Sequence, residues 1–269
     1  DSTPGINITK NEFITYGEGL VVKNCSFSIF HNNHFKNEKY DYCLSFKYFS
    51  TNCIISSNTF KIMSGSCGGI FFDWISNITI ENNLFLYLVH ESSYSNALYC
   101  SLGENLTINN NIFQGEFQFA INLNIMKNIV LSNNIIQNSY RGIYCGGAIH
   151  GNIFGNSITN NYQYGLELGG CNFINITFNE FTQQTIFAIQ ITYYGNSSFI
   201  FNNNFLGNNI NGSSSAFHQA YDEVGITWFN PDTRLGNYWD DLEWYEECTY
   251  EIDGNMTSDL YPLQYPVTI

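Results

Sequence analysis

The sequence is poor in positive charge. Its 269 residues include nine lysines and arginines against 23 aspartates and glutamates, which gives a formal net charge of −14. Such a surface repels phosphate groups, so we expect no binding to nucleic acid or to anionic membranes. Divalent cations and neutral glycans remain compatible with this charge.

Long apolar runs and paired reactive residues are also missing. No segment approaches the 18 or so apolar residues of a membrane span, so no span is predicted. The eight cysteines include no CxxC pair, which leaves zinc and redox motifs without support. The acids of the repeats are sparse and only two arginines occur, so we predict no catalytic residue, metal ligand or cofactor.

What the chain does contain is a motif that returns nine times, an asparagine two places before a large apolar residue. Successive asparagines are 22, 25, 25, 28, 23, 22, 23 and 24 residues apart, a period typical of stacked supersecondary units. The nine pairs are Asn11/Phe13, Asn33/Phe35, Asn58/Phe60, Asn83/Phe85, Asn111/Phe113, Asn134/Ile136, Asn156/Ile158, Asn179/Phe181 and Asn203/Phe205.

Apolar and polar residues alternate around each asparagine, and a second short strand follows each time. No helix-length apolar stripe occurs. The pattern predicts an all-β fold, a parallel β-helix (solenoid) of about nine coils. Asparagine suits the sharp corners because it tolerates left-handed backbone and its amide can stack in ladders. We expect a buried core that includes Ile80, Phe85, Ile108, Phe113, Leu123, Leu131, Ile136, Leu166 and Phe181.

The period breaks after the ninth coil. We therefore divide the chain into a β-helix, 1–206, and a C-terminal capping segment, 207–269, which is aromatic and acidic. An uncapped coil is an exposed sheet edge. We expect the segment to cover that edge through Trp228, Trp239 and Tyr261.

The C-terminal segment carries a family resemblance. The run Gly236-Asn-Tyr-Trp-Asp-Asp241, followed by Tyr250–Gly254 and Asp259–Leu263, resembles the end of the NosD-like right-handed β-helix proteins, and the Asn-rich coils resemble the repeats of that family. The resemblance implies a right-handed helix and a secreted or cell-surface protein of archaeal type. The family name derives from copper-cluster assembly, which implies a metal-handling accessory role, although this chain has no Met/His/Cys cluster.

Three long insertions, 36–42, 61–68 and 86–96, fall at one corner of consecutive coils, a position where solenoids often bind. Beside them Phe71 and Tyr99 are predicted to stack on the outer surface, where flat apolar rings suit sugars. They belong to a predicted column of outward residues on the second strands: Val21, Ser45, Phe71, Tyr99, Asn122, Tyr144, Glu167 and Gln190. Two simpler interpretations remain open: the insertions cover the pair as a small second core, and Lys47 and Asp73 form an ordinary ion pair. The glycan-binding candidates are Phe71, Tyr99, Asp73, Lys47, His90 and Glu91.

Two further features indicate an extracellular or cell-surface location. Disulfides need an oxidising compartment, and the candidate pairs are Cys25–Cys53 and Cys43–Cys67. Glycosylation sequons favour the same location, with Asn77 and Asn105 predicted at one exposed corner of adjacent coils. The eight sequon asparagines are Asn7, Asn24, Asn77, Asn105, Asn175, Asn196, Asn211 and Asn255.

The sequence favours a non-catalytic extracellular structural or surface protein, such as a filament, sheath or glycan-binding adhesin component. One alternative is a carbohydrate-active enzyme, a polysaccharide lyase or hydrolase, on the face of coils 2 to 4. A second is the metal-handling accessory role. The first coil begins by about residue 4. Its open edge predicts end-to-end self-association or contact with other surface proteins.

Overall fold

The computed structural model describes residues 5–88, 95–193, 195, 197–209, 218–245, 248–255 and 257–269. The described chain is all-β, and none of its residues lies in a helix that could span a membrane. The strands are β1 Asn7–Thr9, β2 Glu12–Thr15, β3 Leu20–Lys23, β4 Ile29–His31, β5 His34–Asn37, β6 Asp41–Ser56, β7 Thr59–Ile62, β8 Cys67–Glu81, β9 Leu84–Tyr87, β10 Asn96–Cys100, β11 Gly103–Asn109, β12 Ile112–Gln114, β13 Phe119–Asn124, β14 Met126–Ser132, β15 Ile135–Gln137, β16 Arg141–Gly146, β17 Ile149–Phe154, β18 Ser157–Thr159, β19 Tyr164–Gly169, β20 Asn172–Thr177, β21 Glu180–Thr182, β22 Phe187–Thr192, β23 Phe199–Phe201, β24 Asn204–Leu206, β25 Ala220–Asp222, β26 Tyr238–Trp239, β27 Tyr250–Gly254 and β28 Thr257–Asp259.

These strands wind into a parallel β-solenoid of about eight turns, close to the nine coils predicted. Ten strands, from β2 to β26, form one sheet that we call the first face, and it carries the repeated apolar residues. The other 18 strands form a sheet that bends over two faces. The second face contains β3, β10, β13, β16, β19 and β22, and the third contains β1, β4, β11, β14, β17 and β20; the long β6 and β8 run across both.

The repeated asparagines form a ladder at the corner between the third and first faces, exposed at Asn11 and buried from Asn33 onward. Each rung after the first accepts hydrogen bonds on its side-chain oxygen from the backbone N–H and the amide of the preceding rung. Asn134 donates both to Asn156 at 2.9 Å. The left-handed backbone lies one residue earlier, at Asn82, Asn110 and Asn133 among others. We expected one asparagine both to adopt the left-handed backbone and to form the ladder, but two neighbouring residues share these roles. The side chain of the ladder residue points inward, whereas that of the corner residue points to solvent.

The interior is filled by stacked rows. All nine residues predicted for the core are fully buried. On the first face the rings of Phe85 and Phe113 stack with centroids 4.6 Å apart and planes 6° from parallel. Like side chains recur in the same place because each coil repeats the backbone of the previous one, so rings of the same shape pack flat on one another.

The C-terminal segment packs on the last coils as expected. Trp239 stacks on Phe205 with centroids 4.0 Å apart, and Tyr250 stacks on Trp239 at 3.9 Å. Trp228 is fully buried beside them, while Tyr261 is half-buried and meets Phe229 edge-on. The division at 206/207 stays a prediction, and both sheets continue past it through β25 and β26.

The asparagine ladder ends in an aspartate. Asn237 forms the tenth rung, and Asp259 takes the place of the next one. The buried Asp259 carboxylate accepts hydrogen bonds from the backbone N–H of Asn237 at 2.6 Å and from Trp239 Nε1 at 3.1 Å. Burial nevertheless raises the pKa of Asp259 to about 6, because a charged group in this dry environment loses its hydration.

This carboxyl group predicts a pH dependence of stability. Since the pKa of Asp259 is higher in the folded state than in the unfolded chain, where it is about 4, its contribution is present at low pH and is lost as the pH rises through about 6. We expect the free energy of unfolding to fall by up to about 3 kcal/mol from this group between about pH 4 and pH 7. Urea denaturation of wild type and Asp259→Asn across this range measures it; a pH-independent difference between the two proteins would contradict the assignment.

Candidate functional site

The outer surface of the second face has the predicted register. The residues predicted to stack there pair coil to coil through parallel bridges: Val21, Ser45, Phe71, Tyr99, Asn122, Tyr144, Glu167 and Gln190. Tyr221 of β25 extends the column beyond Gln190. Side chains on this surface therefore lie one coil rise, about 4.8 Å, from their neighbours.

Each coil from the second to the ninth contributes one aromatic side chain to this face, either in the column or three residues before it. Seven of these side chains are half-buried, and Phe187 is buried. Neighbouring rings are in contact along most of the series: Phe71 and Tyr99 stack at 5.6 Å, and Tyr164 and Phe187 stack at 6.3 Å. The series extends over about seven coil rises, on the order of 35 Å. We call it the aromatic row; its members are Tyr42, Phe71, Tyr99, Phe119, Tyr144, Tyr164, Phe187 and Tyr221.

The predicted aromatic pair is only partly open to solvent. Phe71 and Tyr99 are half-buried, and Tyr42, at the end of the first long insertion, packs against Phe71 with centroids 5.3 Å apart. Asn96, at the end of the third insertion, donates a hydrogen bond to the Tyr42 hydroxyl. The insertions thus cover part of the pair, as the second-core interpretation expected, and leave ring edges outside.

The other predicted glycan contacts are not brought together with this pair. Lys47 forms its ion pair with Glu18 of the preceding coil, so the ion pair with Asp73 considered from the sequence is wrong. The side chain of Asp73 is exposed, and its backbone oxygen accepts a hydrogen bond from Ser101. His90 and Glu91 lie outside the described residues.

The strongest polar arrangement on this face surrounds Arg141, on β16. The Arg141 guanidinium lies over the ring of Phe119 at 5.2 Å and over that of Tyr164 at 5.5 Å. Its Nε donates to Gln163 Oε1 at 2.7 Å, and its Nη1 is 3.1 Å from Glu167 Oε2. That last contact is an ion pair outside hydrogen-bonding geometry. These five residues form what we call the Arg141 cluster.

Glu167 is held in a dry environment within the cluster. Burial raises its pKa, and the charge of Arg141 opposes this rise. Burial also raises the pKa values of the neighbouring Tyr144 and Tyr164 hydroxyls, with Glu167 adding to the effect. Both hydroxyls therefore stay protonated donors, and the carboxylate is an acceptor whose charge the guanidinium balances locally.

An exposed aromatic pair lies at the edge of this cluster. Tyr140 and Tyr162 stack with centroids 5.3 Å apart, and Gln163 donates a hydrogen bond to the Tyr140 hydroxyl at 2.8 Å. Tyr162 is 61% exposed. The result is a set of flat rings beside planar hydrogen-bonding groups, the combination that sugar-binding surfaces use.

Sequence reasoning concentrated on coils 2 to 4 and missed the Arg141 cluster. Three of its five members lie three residues before the aligned column, at Phe119, Arg141 and Tyr164. An alignment of the coils on the second strand places all three directly before an Ala-Ile, Gly-Ile or Gly-Leu pair. The fact that Arg141 is one of only two arginines in the chain was the available signal.

A family model described as "Periplasmic copper-binding protein (NosD)" matches residues 5–243. The chain belongs to the NosD family. The match confirms the resemblance seen in the coils and in the Gly236–Asp241 run, and a periplasmic family agrees with a location outside the cytoplasm. The archaeal type stays a prediction. Comparison with curated proteins and with solved structures gives no match.

Copper favours soft sulfur and imidazole ligands. The described residues of this NosD-family chain contain no group of three or more His, Cys, Asp or Glu side chains that could hold a metal ion. The Cys100 and Met126 sulfurs are 3.3 Å apart, but both side chains are fully buried and burial raises the pKa of Cys100 to about 12. A protonated, enclosed thiol is a poor ligand, so the described residues do not fit a copper centre.

The cysteines are buried thiols in this structure. Cys25 and Cys53, one of the two predicted disulfides, have sulfurs 3.9 Å apart, and Cys43 and Cys67 belong to adjacent coils. A disulfide bond is about 2 Å long, so the two sulfurs of the first pair would have to approach by about 2 Å to form one. Both pairings stay predictions. Cys100 and Cys145 are fully buried.

The six described sequon asparagines are all exposed, whereas Asn196 and Asn211 lie outside the described residues. Asn77 and Asn105 occupy the same corner of adjacent coils in left-handed backbone, and Asn105 Nδ2 donates to Asn77 Oδ1 at 2.8 Å. A glycan is attached at the same Nδ2 atom. Glycosylation stays a prediction, and the close spacing favours occupancy of one of these two sites at a time.

Proposed function

We propose that this NosD-family protein is a non-catalytic accessory protein outside the cytoplasm that binds a neutral, linear polysaccharide along its second face. The observation that supports this function is the aromatic row, with one aromatic side chain in each of eight successive coils. A chain polymer presents the same chemical group at regular intervals, and a solenoid presents matching side chains at regular intervals along its axis. The rod and a polysaccharide therefore have compatible symmetry.

The electrostatics support a neutral ligand. Glu167 balances the Arg141 charge locally, and the whole chain carries a net charge of −14. An acidic polymer would be repelled over a Debye length of about 8 Å at physiological salt. Tyrosine hydroxyls and amides along the row supply donors and acceptors for sugar hydroxyls, while the ring carbons offer apolar contact for the C–H surfaces.

The alternatives are supported less directly. The family description favours metal handling over a purely structural role, and the poor fit of the described residues to copper is the reason for choosing the second face instead. A lyase or hydrolase needs an acid–base pair at the scissile bond. The Arg141 cluster supplies one carboxylate, Glu167, so we propose binding without turnover. End-to-end association of rods stays a separate prediction.

Affinity electrophoresis of the full chain in gels containing soluble polysaccharides tests the proposal. Neutral β-linked and α-linked glucans should retard the wild type, whereas pectate and alginate should not. Tyr164→Ala removes a ring that stacks on Arg141 and on Phe187 and should weaken binding at least about tenfold, since truncating a central aromatic anchor costs 2 kcal/mol or more.

The matched control is Phe154→Ala, which removes an outward aromatic ring from β17 on the third face. It should bind as the wild type does, and both variants should retain cooperative melting. Equal losses in the two variants, or retardation only by acidic polymers, would contradict the proposal. Release of reducing ends would favour the enzyme alternative, and copper retained through gel filtration would favour metal handling.

A further inference from the structure

A cleft of about 370 Å³ opens in the C-terminal segment, and none of its lining residues belongs to the aromatic row or to the Arg141 cluster. Leu235, Leu260 and Leu263 line its walls together with Trp244 and Tyr261. Trp244 is 46% exposed, although a large apolar ring normally avoids water. Seven of the nine lining residues lie beyond residue 243, where the family match ends, whereas Arg234 and Leu235 lie within the matched range.

One positive charge stands at this cleft. Arg234 is the only lysine or arginine from residue 207 to the end of the chain. Its side chain is exposed, and among the described residues its guanidinium has no ion pair or hydrogen bond. Arg141, the other arginine, is fully engaged by Gln163, Glu167 and two rings. The two arginines therefore differ in whether their guanidinium N–H donors are available to bind a ligand.

A tight turn holds Arg234 in place. The Asn230 side chain accepts hydrogen bonds from the backbone N–H groups of Asp232 and Thr233, and the N–H of Asn230 itself donates to Leu235 at 2.8 Å. Arg234 has a φ of 54°, in the left-handed region that a non-glycine residue enters only at a cost. The backbone is thus rigid at the residue that carries the charge, and binding there would order only the side chain.

We propose that this cleft binds a small organic carboxylate with an aromatic or branched apolar body. The body would lie between Trp244 and the leucines, and the carboxylate would take the paired N–H donors of Arg234 in the fork geometry that guanidinium and carboxylate share. The volume is at the lower end of the range for small-molecule sites, which limits the ligand to about the size of an aromatic amino acid.

Charge complementarity selects a carboxylate over other ligand classes. The walls offer few hydrogen-bonding groups apart from Gln264 and the Tyr261 hydroxyl, so a polyhydroxylated sugar would leave most of its hydroxyls unsatisfied. A cationic ligand would meet Arg234 directly. An apolar ligand without charge would leave the guanidinium partly desolvated and unpaired, which costs binding energy that the carboxylate recovers.

Isothermal titration of the full chain with 3-phenylpropionate, 3-phenylpropanol and 3-phenylpropylamine tests the proposal, since the three probes share one body and differ in charge. We expect the acid to bind at least about tenfold more tightly than the alcohol, and the amine to bind most weakly. Arg234→Met keeps an unbranched apolar stem and should remove this preference. Trp244→Ala should weaken the acid and the alcohol alike.

The charge control is Lys127→Met, an exposed residue on the third face whose loss changes the net charge by the same amount. It should leave all three affinities unchanged. Equal binding of acid and alcohol to the wild type, retention of the preference in Arg234→Met, or no binding of the acid would each overturn the proposal. Polysaccharide retardation of Arg234→Met should match that of the wild type, which keeps this site distinct from the second face.

Discussion

Asn156→Leu is expected to lower the free energy of unfolding by roughly 3–5 kcal/mol, because it leaves buried backbone groups without partners. Asn156 accepts from the Asn134 backbone N–H at 2.9 Å and donates to the Leu131 carbonyl at 3.0 Å. Leucine has a similar volume but no polar atom, so packing is nearly kept while the hydrogen bonds are lost. Each orphaned buried group costs about 1–3 kcal/mol.

Asn152→Leu is the matched control for this change. It lies on the same coil, with its side chain exposed on the third face and one 3.3 Å hydrogen bond from Asn175. A surface substitution of this kind should change stability by no more than about 0.5 kcal/mol. Urea denaturation followed by circular dichroism measures both variants. Similar losses at positions 152 and 156 would show that the ladder is not a principal source of stability.

Phe113→Ala is expected to cost about 3–5 kcal/mol, since it removes a fully buried ring and leaves a cavity that a rigid coil cannot close. The ring stacks on Phe85 on one side and meets the aligned Ile136 on the other. The loss therefore interrupts a row that runs through the whole rod. Equilibrium denaturation should show a lower midpoint for the variant.

Ile112→Ala provides the comparison, because Ile112 is the outward neighbour on β12 and is 37% exposed. It should cost less than about 1 kcal/mol. Solenoid coils interact mainly with their neighbours, so Phe113→Ala could also separate the unfolding of the two halves into two transitions. A single transition at the wild-type midpoint would mean that Phe113 does not connect the rows as the structure indicates.

The candidate site was predictable only in part. The column that contains Phe71, Tyr99 and Tyr144 followed from counting two residues at a time along the second strands, and the coil register confirmed it. The Arg141 cluster did not follow, because its contacts join residues of three coils that are 22 to 26 positions apart. The spacing between coils shows which residues lie beside one another in adjacent coils. The direction of each side chain decides which of these residues it contacts.

The sequence by itself determined the coil. The period is about 24 residues, and each repeat has an amide and a large apolar side chain at constant separation. Such a repeat predicts stacked coils, in which each coil buries the same side chains against the next. That is why all nine predicted core residues are fully buried. The local pattern is enough to predict the core, because each core residue packs against the equivalent residue of the next coil, one period away.

The tertiary structure alone decided how the ladder ends and where charge is left free. Asn237 follows Asn203 after 34 residues rather than a coil period, and the aspartate beyond it accepts from Asn237 without resembling the repeat. Arg141 is neutralised by Glu167, while Arg234 faces an apolar cleft. These outcomes depend on irregular segments that fold back on the last coils. No repeat constrains the path of the chain there, so only tertiary contacts determine which groups meet.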